Sequence, residues 1–149
     1  MDKKYKQLLY EDLCARIPYG VIANVIYEDI DDELPLRVIG VYGDFVQVET
    51  DTHDKSVHIK NVRPYLRPFE SMKDDERSMY NLYVSMVKVR NGDALSQSSV
   101  ILNNWLNKHH IDTRNLIGQG LAYKADEYTY DLNEIIADET GKEPFFKIQ

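Results

Sequence analysis

The densest cluster of groups able to do chemistry in this sequence is His109-His110-Ile111-Asp112, with Arg114 two residues further on. Imidazoles and a carboxylate are ligands for a divalent cation, and they are also the groups that move protons near neutral pH. The spacing argues against one shared ion. Neighbours on a helix diverge by about 100°, and helical metal pairs favour i, i+4. The expected arrangement has one histidine packed inward and an imidazole satisfying terminal carbonyls at a helix end. A metal-dependent enzyme using His109, His110 and Asp112 stands as an alternative. His53 and His58 fall in a β-rich region and are expected on exposed turn and strand positions.

A second group is basic and aromatic. From Lys55 to Phe69 there is no acidic residue, while His58, Lys60, Arg63, Tyr65 and Arg67 follow one another. Strand-borne cations interleaved with an aromatic ring suit a phosphate-bearing ligand or a recognition surface. Lys60, Arg63, Tyr65 and Arg67 are therefore the candidate binding residues. The competing reading has these cations neutralise acidic turns across a sheet. The acidic run Glu28-Asp29-Ile30-Asp31-Asp32-Glu33 lacks the glycine and terminal glutamate of a calcium loop, and reads as a solvated hairpin tip.

Covalent chemistry has little support. There is no Gly-x-Ser-x-Gly, no phosphate-cradling glycine loop, no cofactor signature and no cysteine near a histidine. The single cysteine, Cys14, is expected to be a small buried hydrophobe, since no basic cluster surrounds it to activate the thiol. Eleven tyrosines against four phenylalanines is an unusual balance that favours half-exposed rings. Tyr80, Tyr83, Tyr123, Tyr128 and Tyr130 cannot all be core.

The elements that must position these groups change character along the chain. Tyr5, Leu8, Leu9 and Leu13 fall at helical spacing, predicting a helix over 3–16 with Lys4, Lys6, Glu11 and Asp12 facing water, stopped by Pro18 and Gly20. From Val21 to Val62 the period becomes two. Strands are predicted over 21–27, 36–42 and 45–49, with Gly43-Asp44 as a tight hairpin and a further strand around Val57 and Ile59. Pro64 and Pro68 predict an extended crossing or short 3₁₀ turn after Asn61 instead of a central strand. Helices follow: one capped at Ser71, ending at Asn91-Gly92-Asp93; one after a loop at 96–99, carrying Trp105; a short one opened by Asp112; and a last one opened by Asp131 with Glu134. No repeat or low-complexity linker divides the chain.

Composition bounds the rest. At 149 residues the chain can bury roughly two-thirds of its unfolded surface without a metal or disulfide staple. A net charge of −7 disfavours long nucleic acids as partners. No apolar run reaches membrane-spanning length, and no apolar stretch follows the opening lysines, so a cytoplasmic protein is expected. A lone cysteine fits a reducing compartment.

Three segments carry a resemblance. The run from Asp12 to Val21 reads DLCARIPYGV; 64–72 reads PYLRPFESM; and 105–122 carries Trp105-Leu106-Asn107, His109-His110, Asp112, Arg114, Leu116-Ile117 and Gly120-Leu121-Ala122. Together they are similar to a family of short proteins of anaerobic gut bacteria and their phages for which no activity is established. Glu70 departs from the small polar residue of the family pattern, and 128–149 lies outside it. The resemblance implies a phage or mobile-element accessory protein and a shared fold, without a mechanism.

The sequence thus predicts an α+β protein. Residues 1–70 would hold an N-terminal helix and a small SH3-like antiparallel barrel or meander, and 71–149 a helical layer packed on it as one compact unit. The expected function is a non-enzymatic interaction module for a host or phage protein, contacting it around Arg63, Tyr65 and Arg67. Sequestration of a signalling nucleotide by the same cations is a further alternative. No cofactor is expected, and oligomeric state has no signal in the sequence.

Overall fold

A computed structural model describes residues 1–27, 32–89 and 93–141. The Glu28–Asp31 part of the acidic run, the Asn91-Gly92 helix end and the tail after 141 lie outside the described residues. Helix α1 (Lys3–Arg16) opens with the Asp2 carboxylate accepting the Lys4 N–H. It tightens into a 3₁₀ turn at Ile17–Tyr19 and stops at Gly20, whose φ of 74° is left-handed. The sheet follows: β1 (Ile22–Tyr27), β2 (Asp32–Tyr42), β3 (Phe45–Glu49), β4 (Asp54–His58), β5 (Val62–Leu66) and β6 (Tyr123–Lys124). Helices α2 (Asp74–Val89), α3 (Asp93–Lys108) and α4 (Leu132–Gly141) complete the α+β fold.

The strand order is β4-β3-β2-β1-β5-β6. The first five strands pair antiparallel, and β6 joins β5 in parallel. The sheet is open and mixed, and no pairing among the described residues closes it into a barrel. Gly43, with a φ of 61°, makes the β2–β3 turn.

Period-two burial builds the core. Val46 and Val48 on β3 face the same interior as Ala23 and Val25 on β1, and Leu9 and Leu13 of α1 fill that side of the sheet. Leu116, Leu121 and Ala122 close the cluster. A second cluster gathers Met72, Trp105, Leu106 and Ile111, with Tyr80, Tyr83 and Leu102 packed on it.

Several expectations need correction. Residues 62–66 are a strand, flanked on both sides. Pro64 is tolerated because pairing with β1 ends at the Ala23–Pro64 couple, and the strand turns to β6 from Tyr65 onward. Ser71 does not cap α2. It sits in a 3₁₀ turn, and the Glu76 carboxylate caps the helix by accepting the Lys73 N–H. Helix α3 already includes 96–99. Residues 112–121 form turns instead of the short helix expected there, and the Asp112 carboxylate ties the turn together by accepting the N–H groups of Leu116 and Ile117. Cys14 is exposed, whereas Asp12 is fully buried.

Candidate functional site

Alternation along β5 sends Val62, Pro64 and Leu66 inward and leaves Arg63 and Tyr65 on the outer face. Tyr123 on the adjoining strand lies beside Tyr65, with ring centroids 6.0 Å apart. The Arg63 guanidinium donates to the carbonyls of Lys60 and Val62, which holds it along the strand. Its pKa is lowered by partial burial, against a smaller opposing influence of Tyr123. Lys60 sits exposed in the 3₁₀ turn Ile59–Asn61 that precedes β5. Beneath the patch is Asn24, register partner of Arg63 and nearly fully buried. Its Oδ1 accepts from the Tyr65 hydroxyl at 3.4 Å, and its amide nitrogen has no partner among the described residues. Two of the four predicted binding residues, Arg63 and Tyr65, thus share one face, and Lys60 stands in the turn that leads into it.

Arg67 does not join them. Although it continues the same alternation, it is covered and only 4% exposed. Its guanidinium makes two bonds of 2.7 Å to the two oxygens of Glu76, and it also donates to the carbonyls of His109 and Ser71. Its backbone bridges the chain after α3, accepting from Asp112 N–H and donating to His110 C=O. The expectation of a contact surface including Arg67 is corrected: its charge is spent inside the protein. A fork of paired N–H donors suits a bidentate carboxylate partner, and Glu76 supplies it.

The histidine cluster has three separate fates. His109 Nδ1 meets Glu76 and His109 Nε2 meets Glu139 of α4, each at 2.6 Å, while its ring lies 4.2 Å from that of Trp105. Burial opposes its charge, but the two carboxylates outweigh burial and hold its pKa above the ordinary histidine value. Burial likewise pushes the Glu76 carboxyl up. The bonds from Arg67, His109 and the Lys73 backbone overcome this and hold it well below the usual carboxylate range. His110 takes a left-handed φ of 58° at the end of α3, where Ile111 N–H reaches Leu106 C=O and His110 N–H reaches Asn107 C=O. Its ring stacks on Tyr130 at 3.7 Å and 10°. Burial, with the charges of Arg16, Arg67 and His109, drives its pKa down to about 3. Asp112 is occupied by backbone N–H groups. Among the described residues no three His, Cys, Asp or Glu side chains group to hold a metal ion.

Tyr130 is wedged where β1 and β5 part. Its hydroxyl accepts from Ile22 N–H at 2.9 Å and donates to Tyr65 C=O at 2.8 Å. Burial raises its pKa, so it remains a phenol. Beside the stacked rings opens a cleft of about 460 Å³ between the 3₁₀ turn after α1, the β1–β2 face and α4.

Sequence reasoning missed Glu76, Glu139 and Tyr130, which join these elements across 33, 30 and 108 positions. The Glu76 role had a faint local signal, since it stands three residues after the N-cap. No family model, curated protein or solved structure matches the chain.

Proposed function

We propose that this chain is a non-enzymatic interaction module whose outer sheet face, carrying Lys60, Arg63, Tyr65 and Tyr123, binds a protein partner. One observation carries the reading. Arg63, Tyr65 and Tyr123 stand together on an accessible face over the Asn24 amide nitrogen, which has no partner among the described residues. The reactive-looking groups of the other half are engaged with one another or with backbone. Arginine and tyrosine are the residue types most enriched in the energetic centres of protein interfaces. The resemblance of its three segments supports a phage or mobile-element accessory role with a host or phage protein as partner, in the cytoplasm. The antiparallel order of β1 to β5, with a single 3₁₀ turn before β5, supports an SH3-like arrangement for that part of the sheet.

Nucleotide sequestration through Lys60, Arg63 and Arg67 loses one of its three cations to Glu76. The metal-enzyme alternative loses Asp112 to capping and His110 to a ring stack. Neither is favoured by an observation of its own.

A photo-crosslinking residue placed at Tyr123 in the native host tests the surface. Partner adducts are expected, and they should disappear in Arg63→Ala/Tyr65→Ala while the thermal midpoint stays unchanged. The same adducts in the double variant would remove this face as the contact surface.

A further inference from the structure

The cleft beside the His110–Tyr130 stack has a volume within the range of small-molecule sites, about 300–1,000 Å³. Its charges are arranged unusually. Arg37 enters from β2 and Lys108 from the last turn of α3, while Asp131 and Glu134 enter from the opening of α4 and Asp138 from one turn further along it. Neither cation lies within ion-pair distance of a carboxylate among the described residues. Asp131 uses one oxygen to accept the Glu134 N–H, and the Glu134 carboxylate has no such engagement. The cleft therefore holds charges of both signs on different elements, and no ion pair among the described residues joins its cations to its carboxylates.

Its floor is rigid and apolar in character. His110 takes a left-handed backbone and stacks on Tyr130, which is anchored between two strands. The His110 ring is 1% exposed, and its Nδ1 has no hydrogen-bond partner among the described residues.

We infer that this cleft binds a small zwitterion, an extended amino-acid-like molecule whose carboxylate pairs with Arg37 and Lys108 and whose ammonium pairs with Glu134 and Asp131. A polyphosphate would meet the α4 carboxylates, and a simple amine would meet Arg37 and Lys108. Only a ligand with both charges at separate ends satisfies both walls, with its methylene chain lying across the ring floor. The site uses none of the residues of the outer sheet face, so its failure and the failure of the interaction surface are independent.

The test is calorimetry on the full chain with β-alanine, γ-aminobutyrate and ε-aminocaproate as probes, and caproate and hexylamine as singly charged controls. Binding is expected for one or more of the zwitterions, with an optimum in chain length set by the distance between the walls. The controls should bind at least about tenfold more weakly, a difference of about 1.4 kcal/mol. Arg37→Gln and Glu134→Gln should each lower zwitterion affinity by a similar factor without moving the thermal midpoint. Three results would overturn the proposal: no heat from any zwitterion at millimolar concentration, caproate binding as tightly as ε-aminocaproate, or either substitution leaving affinity unchanged.

Discussion

His109 Nε2 lies 2.6 Å from Glu139 Oε1, and this bond ties the end of α3 to α4. None of the residues from Leu132 to Glu139 is fully buried, so few apolar contacts share the load. The groups facing His109 are Glu76 from α2, Arg67 from the end of β5, Glu139 from α4, and its neighbours Trp105 and His110. Its folded pKa is raised, so the stability it contributes is complete below the ordinary histidine value and disappears as pH rises through the folded value. Hydrogen exchange, corrected for intrinsic rates, should show α4 losing protection on the alkaline side before the sheet does. Glu139→Gln should produce the same loss at neutral pH. Equal α4 protection in that variant would deny the bond any role in docking the helix.

His110 sets the acid side. Its folded pKa of about 3 lies below the unfolded value, so the stability it contributes is present above about 6.5 and is lost as pH falls towards 3. Each pH unit in that window removes about 1.4 kcal/mol. Chemical denaturation across pH should therefore give a maximum near neutrality. His110→Asn, which keeps a residue tolerant of positive φ, should flatten the acid limb while lowering the peak through loss of the ring stack. An acid limb of unchanged slope would assign that limb to other groups.

Tyr130→Phe removes only an oxygen, but it strands Ile22 N–H and Tyr65 C=O where β1 and β5 diverge. The expected cost is about 1–3 kcal/mol in urea denaturation, with far-ultraviolet circular dichroism preserved. A change below ~0.5 kcal/mol would mean that other groups or water satisfy the strands once the hydroxyl is gone.

Glu76→Ala leaves Arg67 and His109 as buried cations without their shared carboxylate. Removing one member of a buried ion cluster costs roughly 3–5 kcal/mol, more than any surface pair would. Arg67→Met/Glu76→Leu should recover part of that loss, because it removes both desolvated charges together. If the double variant is less stable than Glu76→Ala, the cluster stabilises through more than charge matching.

Cys14 is exposed on α1 and should react with a thiol reagent in the native protein without denaturant. Reaction only after denaturant is added would show that α1 packs differently from the arrangement described above.

Much of the fold was legible because it is written in local periodicity. The helix at 3–16, the Gly43 hairpin and the strand at 45–49 follow from apolar spacing and one positive-φ glycine. The fate of individual charged residues was not, because it depends on what crosses over them. Asp12 falls at a solvent-facing position by helical pattern, yet Arg16 one turn on and Arg114 far along the chain surround it. Arg67 and Arg63 occupy equivalent positions by alternation. One is covered by α2 and the end of α3, and the other stays on the outer face. The strand at 62–66 was hidden by a rule that is sound for a strand with continuous partners, which Pro64 evades by standing where the partner changes.

The ion pair buried under α1 has a consequence for how this protein is made. Arg16 donates to Ile111 C=O, and Asp12 accepts from Arg114, partners 95 and 102 positions away. The first helix leaves the ribosome early, with a charged pair that has nowhere to be buried. Its completion waits for the residues after α3, and the parting of β1 and β5 waits longer, for Tyr130. The buried contacts of the first helix are therefore completed only once the second half of the chain is in place. Fragments ending before residue 111 carry an arginine whose receiving carbonyl has not been made.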